Sequence, residues 1–434
     1  MKDKGLFQFG WIIVGVSFIT LALAYGVWYS FSVFFVALLK EFGWSRSIAA
    51  GAFSLCIIIH SLVGPFVGGV VDRLGPRKVI LLGSSFLGIG LALCSFTQTW
   101  WQFYIFFGVI TAIGIGATGW VPNVTLIQQW FKSKKGLVIG IISSGIGIGI
   151  VVCIPAVQYL IIQLGWRMTY RMMAIFIPLF VISMAIAFFK KAAPVRPSHH
   201  DELEISHAVT KDPLVIHEEW SSQPWTVRSA MTTKQFWLLG VSFLLGNLMT
   251  QSIFAHQVAF FVDRGLGALF ASYIVGMIGI VSLGGKILWG GLSDKIGREI
   301  TYTMGIACLI FGMIILILDS ILRSSGLAYF FALFFGMGYA ATAALPPLIT
   351  ADFFEGQGYG GIFGTIMLIN GLGGAFGAWF GGFVHDLTGS YLLLFVILIA
   401  CGCFSSLSIW KAAPRKIRLV PGKKRAHHPI SSVI

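Results

Sequence analysis

Twelve apolar runs alternate with polar connectors along the chain, at approximately residues 11–39, 47–71, 79–98, 102–129, 137–163, 169–189, 236–262, 268–292, 301–318, 327–350, 359–384 and 390–410. A helix crossing a hydrocarbon core takes about 20 apolar residues. The pattern therefore predicts an all-α membrane protein with twelve transmembrane helices. A longer polar, proline-containing stretch separates the sixth run from the seventh. This divides the chain into an N-terminal six-helix bundle (1–189), a cytosolic linker (190–235), a C-terminal six-helix bundle (236–410) and a basic cytosolic tail (411–434). The tail is expected to be solvated.

The two halves carry a repeat. After the second run the chain reads Gly68-Gly-Val-Val-Asp72-Arg73-Leu-Gly75-Pro-Arg77, and after the eighth Gly290-Gly-Leu-Ser-Asp294-Lys295-Ile-Gly297-Arg298. Both share G-x-x-x-D-[RK]-x-G at the same place in a six-span unit, which implies two related halves with pseudo-symmetry, a plan known among transporters. The first glycine lets another helix approach. The aspartate can cap a helix N-terminus or pair with the basic residue after it, and the last glycine permits a tight reversal. Contacts of this kind hold one conformation and break in another. A loop that merely turns the chain is the alternative.

One cation lies deep inside an apolar run. Lys286 lies in the eighth, eight residues before the charges resume at Asp294, roughly 12 Å from that edge and hence near the membrane middle. An ammonium there costs at least about 2.5–3.5 kcal/mol unless water, an anion or a partner receives it. No acidic residue falls inside the apolar runs, so an anionic substrate is the expected partner. A structural lysine bonded to carbonyls is the alternative.

Composition agrees: 57% of residues are hydrophobic and only 11% charged, against about 25% charged in soluble domains. The net charge of +14 does not imply nucleic acid, because the basic residues sit between apolar runs. Lys40, Arg46, Arg167, Arg171, Arg264 and Arg323 fall on one side and, Lys286 apart, all the others on the side of the termini. That asymmetry predicts cytoplasmic termini, with the tail able to touch lipid headgroups. The six cysteines all lie in apolar runs without metal-ligand spacing. With no H-E-x-x-H, C-x-x-C or nucleophile elbow, no enzyme, metal site or cofactor is expected.

The Gly68 loop resembles the signature loop of the major facilitator superfamily. FSVFFVALLKEFGWSRS (31–47), GPFVGGVVDRLGPRKV (64–79), WFKSKKG (130–136), GWR (165–167) and GGKILWGGLSDKIGR (284–298) resemble its bacterial monocarboxylate transporter and oxalate–formate antiporter group. The resemblance implies a bacterial inner-membrane carrier of a small monocarboxylate, working by alternating access as a monomer, with a proton as co-substrate. Exchange of oxalate- or formate-like anions, or export of drugs and metabolites, are the alternatives. It also implies that the Lys286 position binds the substrate carboxylate. The group usually has arginine there, and lysine is a point charge without the bidentate fork. An acidic residue one turn earlier in the animal branch is Ser282 here. The oxalate antiporters' second cation, on the eleventh helix, is missing; Asn370 is that helix's strongly polar side chain.

Other polar residues are candidates for the cavity. Asn123 sits at about the depth of Lys286, and the resemblance places substrate bonding near it; an interhelical amide bond is the alternative. Tyr339 matches a substrate-contacting tyrosine and reads equally well as core. Pro346 and Pro347 then weaken the backbone as a hinge. Tyr25 and Tyr29 share a face of the first helix, with interfacial or core roles as the alternative; Asn247 and Gln251 share a face of the seventh. His256 is the proton-carrier candidate by intrinsic pKa, with a structural hydrogen bond as the alternative and His60 as a weaker case. Gly373, Gly377, Gly381 and Gly136, Gly140, Ser144 are small-residue stripes expected to form close seams that permit rocking.

Overall fold

The computed structural model describes residues 2–131, 135–189, 214–221, 223–356 and 358–423. Among them, twelve helices are long and apolar enough to cross a membrane. They are α1 (Lys2–Phe42), α2 (Arg46–Leu74), α3 (Pro76–Cys94) and α4 (Trp100–Trp130), then α5 (Lys135–Leu164), α6 (Trp166–Phe188), α7 (Lys234–Asp263) and α8 (Ala268–Ile296), and finally α9 (Arg298–Leu322), α10 (Ser325–Phe353), α11 (Tyr359–Thr388) and α12 (Leu392–Ala412). Most run past the apolar stretches, because caps end a helix and hydropathy does not. The Ser45 hydroxyl accepts from the Ile48 amide at α2, and Gly75 and Gly297 reverse the chain at φ +83° and +112°.

In the first six spans α1 packs on α5 and α3 on α6; in the last six α7 packs on α11 and α12, and α10 on α8 and α9. The two sets meet through α2 with α11, α5 with α8, and α1 with α7. Small residues line the first two seams, spaced by seven on α2. On α2, Ser54 donates to the Ala375 carbonyl at 2.6 Å, and Ser61 presses on Gly371. On α5 and α8, a Cβ on Gly279 would meet the Gly147 carbonyl at 2.8 Å, and one on Gly147 would meet Leu283 at 2.5 Å.

One heptad further toward the termini the same stripes separate. Gly68 follows Ser61, Gly290 follows Leu283, Gly140 precedes Gly147 and Gly364 precedes Gly371. None of the four has an atom within 4 Å of its Cβ position. The halves are thus sealed on the side away from the termini and parted on the termini side.

Two expectations change here. Gly373 and Gly377 press on the Leu244 and Leu248 carbonyls of α7, and Gly381 on His256, so this stripe fastens α11 inside its own half and is no rocking surface. A Cβ on Gly140 would meet nothing within 4 Å; α5 meets α1 instead through Gly145 and Gly149, while the packing of Gly136 lies outside what is described. The tail is also not wholly solvated. Leu419 donates to the Leu214 carbonyl at 2.7 Å and Ile216 to the Ile417 carbonyl at 2.9 Å, tying the tail to the linker's end. The Trp220 indole then bonds the Phe353 carbonyl of α10 at 2.7 Å. Linker residues 190–213 and 222, and tail residues 424–434, lie outside the described residues.

Candidate functional site

Lys286 stands where the seal ends. It lies two turns from Gly279 and one from Leu283, on the stripe of α8 that faces α5. Gly279 and Leu283 are sealed against α5, whereas Gly290 beyond is open. The lysine is half-buried, and among the described residues it has neither an ion pair nor a hydrogen bond. Its Nζ lies 5.8 Å from the centre of the Tyr339 ring, within cation–π range. The Tyr339 hydroxyl in turn shares a 2.7 Å hydrogen bond with the Tyr29 hydroxyl of α1. Phe254 of α7 packs on both rings, at 4.6 and 5.0 Å between centroids. Three aromatic residues from both halves thus roof the site, with a single unneutralised ammonium beneath. Tyr25 lies one turn along α1, beside Gly119 and the His60 ring.

The other sequence candidates are placed elsewhere. Asn123 is fully buried. Helix α4 passes through a π-helical stretch at Tyr104–Thr111 and breaks at Gly119. The Asn123 amide donates across that break to the Thr118 and Gly119 carbonyls at 2.8 and 2.7 Å, and Oδ1 has no partner. Asn247 donates to the Asn370 carbonyl at 2.8 Å and accepts from Thr250 at 3.2 Å. Gln251 is buried against Gly374. These three residues join α7 to α11. Pro346 and Pro347 lie inside an unbroken α10.

His256 belongs to a cluster at the sealed end that sequence reasoning missed. One ring nitrogen, Nε2, is 2.8 Å from the Ala378 carbonyl, and Nδ1 is 3.1 Å from the Tyr391 hydroxyl. A carbonyl only accepts, so Nε2 carries the proton, and Nδ1 of a neutral ring accepts from Tyr391. The Tyr391 oxygen then accepts from Arg46 at 2.6 Å, and Arg46 pairs with Asp263 at 2.7 Å. Every role in the chain is filled with the imidazole neutral. Asp386 of α11 accepts from the Arg46 and Ser47 amides at 2.9 and 2.8 Å and from the Ser47 hydroxyl at 2.6 Å. It caps the N-terminus of α2, where a negative charge is favoured. This cluster latches the two halves. Its sequence signal was only three flanking charges, Arg46, Asp263 and Asp386.

The two repeat loops differ. Asp72 and Arg73 are exposed and have no ion pair among the described residues, while Arg77 donates to the Ile186 carbonyl at 3.0 Å. In the second copy Arg298 is buried. It bonds Asp294 at 2.7 Å and Asp352 of α10 at 2.8 Å, so this copy is locked within its own half. Lys295 is exposed at its side chain and touched by Gly422 at its backbone.

Known proteins bear this architecture. The chain is 25% identical to monocarboxylate transporter 13 of Rattus norvegicus, over 89% of this chain and 85% of the relative. It is 26% identical to the uncharacterized MFS-type transporter YcxA of Bacillus subtilis (strain 168), over 92% and 93%. Among solved structures, a bacterial homolog of the human lysosomal transporter Spinster, in an inward-facing and unoccupied conformation, superposes with a TM-score of 0.71 at 14% identity over 95% of this chain and 99% of that one. The D-xylose–proton symporter superposes with a TM-score of 0.71 at 16% identity over 94% and 98%. The family model of the Major Facilitator Superfamily matches residues 17–360. With its twelve helices and two sets of six, this chain belongs to the Major Facilitator Superfamily, a family of membrane transporters and not of enzymes.

Proposed function

We propose that the protein carries a small monocarboxylate across the bacterial inner membrane by alternating access, with Lys286 as the carboxylate's anchor. The observation that carries this reading is the lone ammonium at the end of the seal, without a protein anion among the described residues. One fixed positive charge matches one carboxylate. A dicarboxylate would leave a second negative charge to be buried unpaired, at a cost of several kcal/mol. The names of the monocarboxylate transporter relatives support the same substrate class.

In this reading, residues 1–189 and 236–410 rock as two bodies about the site, and the protein acts as a monomer. The termini are cytoplasmic, as the basic-residue asymmetry supports, so the parted side faces the cytoplasm. Tyr339 and Tyr29 orient the bound carboxylate. Asn123, Asn247, Gln251 and Asn370 keep the helices around it in register. A proton moves with the anion.

The test is uptake of radiolabelled small carboxylates into proteoliposomes. Lys286→Gln is expected to lower uptake at least tenfold while the melting temperature of the purified protein stays within a few degrees, and Lys286→Arg to restore part of it. Unchanged uptake by Lys286→Gln would refute the assignment.

A further inference from the structure

We propose that His60, on α2, is the group that takes up and releases the coupling proton. This rests on the carboxylate-transport reading above and names the residue that gives it a driving force.

Two histidines lie deep in the membrane-spanning helices, and the structure treats them oppositely. His256 has both ring nitrogens committed within the latch. His60 has no hydrogen bond among the described residues, only edge contacts to Trp28 at 5.0 Å and Tyr25 at 6.4 Å between ring centroids. A half-buried imidazole without a protein partner must draw its hydrogen bonds from water, since leaving them unmade is costly.

Its position supplies the water. The lipid face of α2 is marked by Leu62 and Phe66, which are 48% and 74% exposed. The bundle face is marked by Val63 and Val67, which pack with Ala117 and Val121 of α4. The face toward α11 is marked by Ser54 and Ser61. His60 lies between the last two faces, next to Ser61. That serine is the last sealed position before the stripe parts at Gly68. The ring therefore sits at the level where the open space between the halves begins, as Lys286 does on the opposite half.

The charged surroundings are sparse. From α1 His60 faces the Tyr25 phenol and the uncharged Trp28, and from α4 it faces Gly116. Across the seam α11 presents Gly371 beside Ser61, with no charged side chain at that level. Lys286 is the cation of the opposite half. Among the described residues, no carboxylate is bonded to the ring.

A substrate carboxylate entering between Lys286 and His60 therefore brings the negative charge that favours the imidazolium, and by linkage the imidazolium favours the carboxylate equally. The step is a bare protonation. Water on the open side donates one proton to a ring nitrogen, and the same proton returns to water on the other side after the anion leaves. Proton plus monoanion cross with no net charge.

The experiment uses the full chain in proteoliposomes with radiolabelled lactate as the probe. Two quantities are read: accumulation driven by an imposed pH gradient, and counterflow exchange at equal pH, which needs no net proton movement. His60→Gln and His60→Asn are expected to lose gradient-driven accumulation by at least tenfold, while counterflow persists at saturating lactate with a raised half-saturating concentration, as the linkage requires. His256→Gln is expected to keep its pH response. Gradient-driven accumulation by both His60 variants at the parental level would overturn the proposal. So would loss of counterflow in both variants that saturating lactate does not restore, with unchanged melting temperature, because His60 would then be needed for translocation itself and not for coupling to the proton. A parent protein that moves neither lactate nor any other small radiolabelled monocarboxylate in either assay overturns the transport reading and this proposal with it.

Discussion

Asp386 offers the cleanest handle on the equilibrium between the two faces. Its carboxylate accepts three hydrogen bonds from Arg46 and Ser47, at 2.6 to 2.9 Å. Donor and acceptor belong to opposite halves, so all three exist only while the far side is sealed. Hydrogen bonds to a charged group contribute about 1.5–3 kcal/mol when protected. Asp386 is exposed, and water takes over part of what Asp386→Ala removes. The loss therefore falls to the bottom of that range or just below it, about 1–1.5 kcal/mol, and moves a two-state population roughly five- to twelvefold. The assay is double electron–electron resonance between spin labels at Gln98→Cys and Ser324→Cys, in a background with the exposed Cys403 replaced. Both positions are exposed, on the sealed side, in opposite halves. A longer-distance population should grow by that factor in Asp386→Ala while the fold's melting temperature holds. Identical distance distributions with and without the carboxylate would show that it does not latch the halves.

Two further outcomes follow from the seams. Gly279→Leu puts a side chain where even a Cβ meets the Gly147 carbonyl at 2.8 Å, so it should hold the far side open. Gly68→Leu enters free space in this state and should hinder closure of the termini side. Both should abolish transport while shifting the Gln98–Ser324 distance in opposite directions. Tyr29→Phe and Tyr339→Phe each break the same 2.7 Å bond. Their effects on transport should be non-additive, with a coupling of about 1 kcal/mol in a double-mutant cycle.

What was legible in the sequence follows from which signals survive without a fold. A charge inside an apolar run is anomalous wherever the chain goes, so Lys286 stood out before its surroundings were known. Spans are set by local hydropathy, and twelve of them were visible for that reason. Side-chain direction is not local in this sense. Depth brings Asn123 level with Lys286 only on a regular helix. The break at Gly119 turns its amide back onto its own backbone. Arg46 was counted as a flanking charge that orients the protein. Its partners Asp263 and Tyr391 come from distant spans, and no periodicity relates them. The stripe Ser47, Ser54, Ser61, Gly68 was present as a heptad of small residues on α2, but α11 had to be known as its partner before the spacing had meaning.

The asymmetry of the two repeat loops points to where closing on the termini side does its work. Arg298 is already bound to Asp294 and Asp352, so the second copy has little left to gain. Asp72 and Arg73 are exposed and can form new contacts when Gly68 meets Gly364. Closing there also draws Lys286 away from water. Burying an ammonium with no counter-ion has an effective penalty of several kcal/mol, which loop contacts between solvated charges, each contributing up to about 1 kcal/mol, do not offset. Under the proposed carboxylate-transport reading, a carboxylate on Lys286 would remove most of that penalty, so the empty carrier would stay parted on this side and the loaded one would close. Coupling of occupancy to closure would then need no dedicated sensor beyond the proposed anchor.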